Sequence, residues 1–178
     1  MDGTILLWIQ EYIRQPWMDP FWKFITYLGE FGWIWILCIV LLLANKRTRK
    51  VGWCALASLA ISSVIVMLIL KPIVARPRPF TQLSDLIVLI KKPLDFSFPS
   101  GHTSSSFSVA WIIYWLYPNK KVGKMGMVLA SLIALSRLYL GVHYPMDVLI
   151  GFMIGTLVAA YVVKKVKKTN IQKNKKIV

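Results

Sequence analysis

Acidic side chains are scarce in this chain, with seven Asp and Glu against 22 Lys and Arg in 178 residues. Cysteine and histidine are scarcer still, at two each. Two cysteines cannot build a disulfide framework or a four-thiolate zinc site. Cys38 and Cys54 both fall in apolar stretches and read as small buried hydrophobes. The carboxylates are scattered from Asp2 to Asp147 and form no cluster of the kind that holds Mg²⁺ or Zn²⁺. No internal repeat is visible. The first residues have neither a basic n-region nor a small-residue cleavage site, so no signal peptide is expected there.

What the chain does have is apolar sequence, 57% by count, too much for an ordinary soluble domain. Residues 51–70, VGWCALASLAISSVIVMLIL, carry no charge and are long enough to cross the hydrocarbon core as a helix. Further apolar runs predict five spans in all, at 22–45, 51–72, 102–118, 122–140 and 145–164. Residues 1–15 differ: Ile5, Leu6, Trp8, Ile9, Tyr12 and Ile13 fall on one helical face, and Gln10, Glu11, Arg14 and Gln15 on the other. This pattern predicts an amphipathic helix lying in the interface and ended by Pro16, with a short sixth span as the alternative. The expectation is therefore an all-α integral membrane bundle. It divides into an interfacial helix over 1–20, a bundle over 21–164 and a basic tail over 165–178.

The formal charge of +15 is not spread as a nucleic-acid surface would be. Fourteen of the 22 basic residues lie in three places: Lys46/Arg47/Arg49/Lys50, Lys120/Lys121/Lys124 and the tail from Lys164 to Lys176. Alternating spans put these three places on one side of the membrane, and all seven acidic residues lie elsewhere. By the positive-inside rule that side, including the C-terminus, is cytoplasmic.

Both histidines fall in stretches rich in phosphate-binding chemistry, on the opposite face. The first stretch runs from Lys71 to Arg78-Pro79. The second is Pro99-Ser100-Gly101-His102. The third is Ser136-Arg137, followed by His143 and Asp147. Lys71, Arg78 and Arg137 can surround a phosphate with fixed cations. Ser100 and Gly101 open a predicted helix, where free backbone N–H groups favour an anion. Taken one at a time, each has a plainer reading: snorkelling cations, a simple N-cap, a carboxylate complementing a helix dipole. Arg76 is an additional cation, a candidate for a secondary phosphate or headgroup contact. The apolar loop 80–98 is expected to be a short helix lining the way in, or simple packing over the bundle. Gly151 and Gly155 predict close helix packing.

Together the three stretches resemble the three-part signature of the type 2 phosphatidic acid phosphatase superfamily, with each specified position filled and in order across residues 71–147. The resemblance implies a lipid phosphatase in the cell membrane, and the charge split puts its site on the extracytoplasmic face. His143 would attack phosphorus and form a phosphohistidine, Asp147 would orient it, and His102 would protonate the leaving oxygen. Lys71, Arg78, Ser100, Gly101 and Arg137 would bind the phosphate. Neither metal nor cofactor is expected, and the partner is the bilayer lipid itself: undecaprenyl diphosphate, phosphatidylglycerophosphate or phosphatidate. A subgroup of undecaprenyl-diphosphate phosphatases carries Asp where this chain has Gly101. A protein that binds or flips a lipid phosphate without cleaving it is the alternative.

Overall fold

A computed structural model describes residues 2–175, with the side chains of 170–175 excepted. The last three residues of the predicted basic tail lie outside the described residues. Among the described residues the structure is helical and contains no strand. Helix α1 (Asp2–Trp8) runs into a wide π-type turn over Ile9–Ile13. Then follow α2 (Asp19–Gly29), α3 (Trp33–Ala44), α4 (Arg49–Ser63), α5 (Lys71–Val74), α6 (Pro79–Gln82), α7 (Gly101–Leu116), α8 (Lys120–Tyr139) and α9 (Pro145–Lys175).

Four helical stretches are long and apolar enough to cross a membrane: Pro16–Ala44, Arg49–Gln82, Lys120–Tyr139 and Pro145–Thr169. The first is α2 and α3 joined by a kink, where Phe31 and Gly32 take positive φ of 48° and 71°. In the second, Pro72 lacks the N–H that would bond the carbonyl of Leu68. The chain just before it, Val64–Leu70, is wound as a π-helix. The fifth expected span, 102–118, is the 16-residue α7, about 24 Å long at helical rise. It is shorter than the other four, and it is the centre of the bundle, packed by α4, α8 and α9.

That central position explains its composition. Ser104, Ser106 and Ser108 are buried, and α7 is so enclosed that small polar residues act as contacts between helices. Trp35 Nε1 donates to Ser106 Oγ (2.9 Å), and Ser58 Oγ donates to the Ser108 carbonyl (2.9 Å). Such bonds satisfy groups that lipid cannot. Around them lies the core of Ile112, Ala110, Ile133, Ala130 and Ala159, all fully buried. The outward faces carry Phe24, Leu37, Leu41, Leu68, Leu157 and Tyr161, all exposed. That is the surface a bilayer requires and water would not tolerate. Gly151 and Gly155 do what close packing predicts. A Cβ on either would stand 2.7 Å from the Ser100 carbonyl oxygen or 2.5 Å from that of Ser104.

The loop 80–98 is not a surface helix. Only Pro79–Gln82 is helical, and the chain from Leu83 to Pro99 is irregular. Most of its apolar residues pack inward instead, while Ile87, Leu94 and Phe96 are exposed. Leu86 joins Leu6 and Tyr144 in one small cluster, and Val88, Leu89 and Ile90 cover Tyr139, Leu140 and Val142 in another. The N-terminal segment lies on this loop with Leu6, Gln10 and Arg14 turned toward the protein and Glu11 exposed. Gln10 bonds Asp85 and Ile87, and Arg14 donates to the carbonyls of Ile87 and Tyr139. Ile5, Trp8, Tyr12 and Ile13 face away and are exposed.

Candidate active site

Chain direction alternates, so the ends of α4–α5 and α8 meet the starts of α7 and α9. This brings the three motif stretches to one end of the bundle, around a cavity of about 740 Å³. Lys71, Arg78, Gly101, His102, Arg137 and His143 all line it. Its other wall runs between the α2–α3 kink and α4, past Ile36, Leu59, Val66 and Met67. The cavity is thus cationic at one end and apolar along its side.

Arg137 is the most telling member. It is 3% exposed, and among the described residues no carboxylate pairs with it. It donates from Nη1 to Thr26 Oγ1 at 2.5 Å, while its Nε is buried without a partner. An unpaired buried cation is costly, on the order of several kcal/mol, unless an anion enters.

Arg78 is also buried. Its Nη1 donates to the Val142 carbonyl at 2.8 Å and faces His143 Nε2 at 3.4 Å. A guanidinium can only donate, so this contact favours the tautomer with a free lone pair on Nε2. Burial first, and then the charges of Arg78, Arg137 and Lys71, push the pKa of His143 well below its ordinary 6.5. The imidazole is therefore neutral at neutral pH.

Asp147 lies behind His143 and not on the cavity wall. Its Oδ2 is 3.5 Å from His143 Nδ1, beyond a formed hydrogen bond, and Nδ1 has no other partner. The same oxygen accepts from Ser97 Oγ and from the Tyr144 N–H at 2.9 Å. Pro145 starts α9, which puts Asp147 in its first turn. Ser100 also stands behind the wall. It caps α7, its hydroxyl accepts from Thr103 Oγ1 at 2.9 Å, and its side chain is fully buried. Gly101 is the member of that pair that reaches the cavity.

Asp95, on the cavity wall, was not singled out in the sequence, and Arg76 was, but it makes contacts other than those expected. Asp95 is ion-paired with both Lys71 and Arg78, and Lys71 also donates to the Phe96 carbonyl at 2.7 Å. Arg76, expected to meet phosphate or headgroup, instead holds Asp147 Oδ1 at 2.7 Å and Asp2 at 2.9 Å.

A family model described as the PAP2 superfamily matches residues 51–171, more than half of the chain. The chain belongs to the PAP2 superfamily. An undecaprenyl-diphosphatase from Sulfolobus acidocaldarius is 35% identical over 75% of this chain and 65% of its own length. Phosphatidylglycerophosphatase B from Bacillus subtilis is 35% identical over 82% of this chain and 73% of its own length. The chain thus spans somewhat less than two thirds of the archaeal relative. Among solved structures, LpxE of Aquifex aeolicus superposes with a TM-score of 0.80 at 27% identity, covering 92% of this chain and 94% of that one. The PAP2-type phosphatidylglycerolphosphate phosphatase of Bacillus subtilis gives 0.76 at 30% identity, covering 94% and 85%.

Proposed function

We propose that this PAP2 protein hydrolyses a phosphate ester or diphosphate on a membrane lipid. The observation that carries the reading is the pair of histidines facing a cavity in which Arg137 is buried and, among the described residues, ion-paired with no carboxylate. The names of the relatives support the lipid class: their substrates are polyprenyl diphosphate and phosphatidylglycerophosphate.

The chemistry follows from the placement of the groups. The terminal phosphoryl enters among Lys71, Arg78, Arg137 and the start of α7, whose charges and N–H groups stabilise the oxygens as they gain charge. The lone pair on His143 Nε2 attacks phosphorus. The bond from phosphorus to the lipid oxygen breaks, and His102 gives that oxygen a proton. Asp147 draws in on Nδ1 as the ring becomes cationic. In the second step water attacks the phosphorus of the phosphohistidine and gives its proton to His102. The P–N bond breaks, and inorganic phosphate leaves. The apolar wall beside α3 and α4 accommodates the first carbons of a chain whose remainder lies in the bilayer.

The same reading places the site on the extracytoplasmic face, with loops 46–50 and 120–124 and the C-terminus in the cytoplasm. Support comes from the basic clusters, which all lie at the ends of helices opposite the cavity. The deciding experiment is phosphate release by purified protein from a panel of lipid monophosphates and diphosphates in detergent. Release from at least one, lost in His143→Ala, is expected. Binding of lipid phosphate without any release would favour a carrier or flippase instead.

A further inference from the structure

Arg76 does not line the cavity, yet it is tied to the site at three points. Its Nη1 holds Oδ1 of the fully buried Asp147. Its backbone carbonyl accepts from the Ser97 N–H at 2.9 Å, and the Ser97 hydroxyl in turn donates to Asp147 Oδ2. Its guanidinium face lies 3.9 Å from the ring centroid of Tyr144, the residue after His143. The other end of the fork, Nη2, is held by Asp2 of α1.

We propose that Arg76 is a positioning residue for hydrolysis, fixing the carboxylate of Asp147 toward His143, and that Asp2 on the N-terminal helix holds Arg76 in that posture. This rests on the hydrolytic reading above. A carboxylate can turn about its last bond. Here Oδ1 is fixed by a planar fork that is itself clamped against an aromatic ring, so Oδ2 is left pointing at Nδ1. Without Arg76, Oδ1 becomes an orphan in a buried site and the carboxylate reorients to find donors. The role is exercised only when His143 gains positive charge, after substrate has bound. It should therefore show in kcat and not in KM. The consequence for the fold is that α1, resting on the surface of the bundle, is wired to the back of the nucleophile.

The test is steady-state kinetics on the native protein and on Arg76→Ala, Arg76→Lys, Asp2→Asn and the Asp2→Asn/Arg76→Ala double variant, with thermal unfolding in detergent as a control. Arg76→Ala should lower kcat by about ten- to a hundredfold, the usual scale for a residue that orients a functional side chain, with KM changed by less than about twofold. Arg76→Lys keeps one ion pair and should recover most of that loss. Asp2→Asn should cost a few-fold in kcat alone, and nothing further in the Arg76→Ala background. If Arg76→Ala does not fold, the lysine and Asp2 variants carry the same kcat-against-KM comparison. A raised KM with kcat kept would make Arg76 a headgroup contact and overturn the proposal, as would no change in either constant. A native protein with no turnover removes the hydrolytic reading and this role together. Native turnover with an indifferent Arg76 removes this role alone.

Discussion

The carboxylate of Asp95 lies 2.5 Å from Nη2 of Arg78. Lys71 sits on its other oxygen. Two of the three cations proposed to hold phosphate therefore already hold an anion that belongs to the chain. Burial alone would raise the pKa of Asp95, but the hydrogen bond from Lys71 and the charge of Arg78 bring it down to about 2. It is ionised at any pH used for assay. Its contribution to stability is present above the ordinary value of 3.8 and is lost as pH falls from there toward about 2.

Asp95→Asn should thus tighten binding of anions to the cradle. The Asp95 side chain is 42% exposed, and a solvated pair of this kind is worth no more than about 1 kcal/mol, so the gain is limited to about fivefold. Inhibition constants for vanadate and inorganic phosphate report it directly. Weaker inhibition in the variant would mean that Asp95 organises the cradle more than it competes for it.

His143→Ala should reduce turnover by at least about a thousandfold, because the covalent route is lost. His102→Ala should be selective, hurting lipid alkoxide leaving groups far more than a nitrophenolate that departs without a proton. Transfer of radiolabelled phosphoryl to the protein during a single turnover checks the first step. Label retained on the His143→Ala protein would point to another nucleophile.

The depressed pKa of His143 sets the acid limb of the pH profile. In the proposed mechanism the neutral ring attacks, so kcat/KM should hold as pH falls past 6.5 and decline only below it, giving the acid side of a bell. Arg78→Gln or Arg137→Gln removes a cation facing the ring and should move that limb to higher pH. Stability follows the same sign. Below pH 6.5 the unfolded chain takes up a proton that the folded site excludes, so the unfolding temperature should drop as pH falls through that range. A native acid limb at or above 6.5 would contradict this assignment.

In the proposed site, Lys71, Arg78 and Arg137 would supply the positive charge that a divalent metal brings to many phosphatases. Activity is expected to survive excess EDTA. Vanadate is expected to inhibit competitively, because it adopts the five-coordinate geometry of phosphorus under attack. Loss of activity with chelator, restored by Mg²⁺, would show the cradle to be insufficient.

A single cysteine at Lys121, in a Cys38→Ala/Cys54→Ala background, should resist an impermeant thiol reagent in intact cells and react after permeabilisation. Labelling in intact cells would invert the proposed orientation.

The helical bundle and the gathering of the three motifs were legible in the sequence because each depends on local pattern. Apolar length reports a span, and the order of spans dictates which ends meet. What escaped was whatever depends on contacts across long stretches of chain. Asp95 sits in an irregular segment whose only signal is a carboxylate a few residues before Pro99. Arg76 lies within a motif stretch, but nothing in its spacing shows that it turns toward α9 and not toward the cavity. The helix expected after Phe80 was suggested by a run of apolar residues. That run owes its character to Leu6, Tyr144 and the Tyr139–Val142 turn, partners 50 or more positions away in the chain. The N-terminal segment carries an amphipathic pattern, but the pattern alone did not show that Leu6, Gln10 and Arg14 would face the protein.

Gly151 and Gly155 let α9 lie with its backbone almost touching that of α7. α7 begins at Gly101, just before His102, and α9 just after His143, so the proposed proton donor and the proposed nucleophile are mounted on a single block with no slack between them. Lipids of different headgroup size must then be accommodated by the opposite jaw. That jaw is formed by the bend at Phe31–Gly32 and the irregular strip through Leu94 and Asp95. Changes in substrate range should therefore map to that jaw and not to the paired helices.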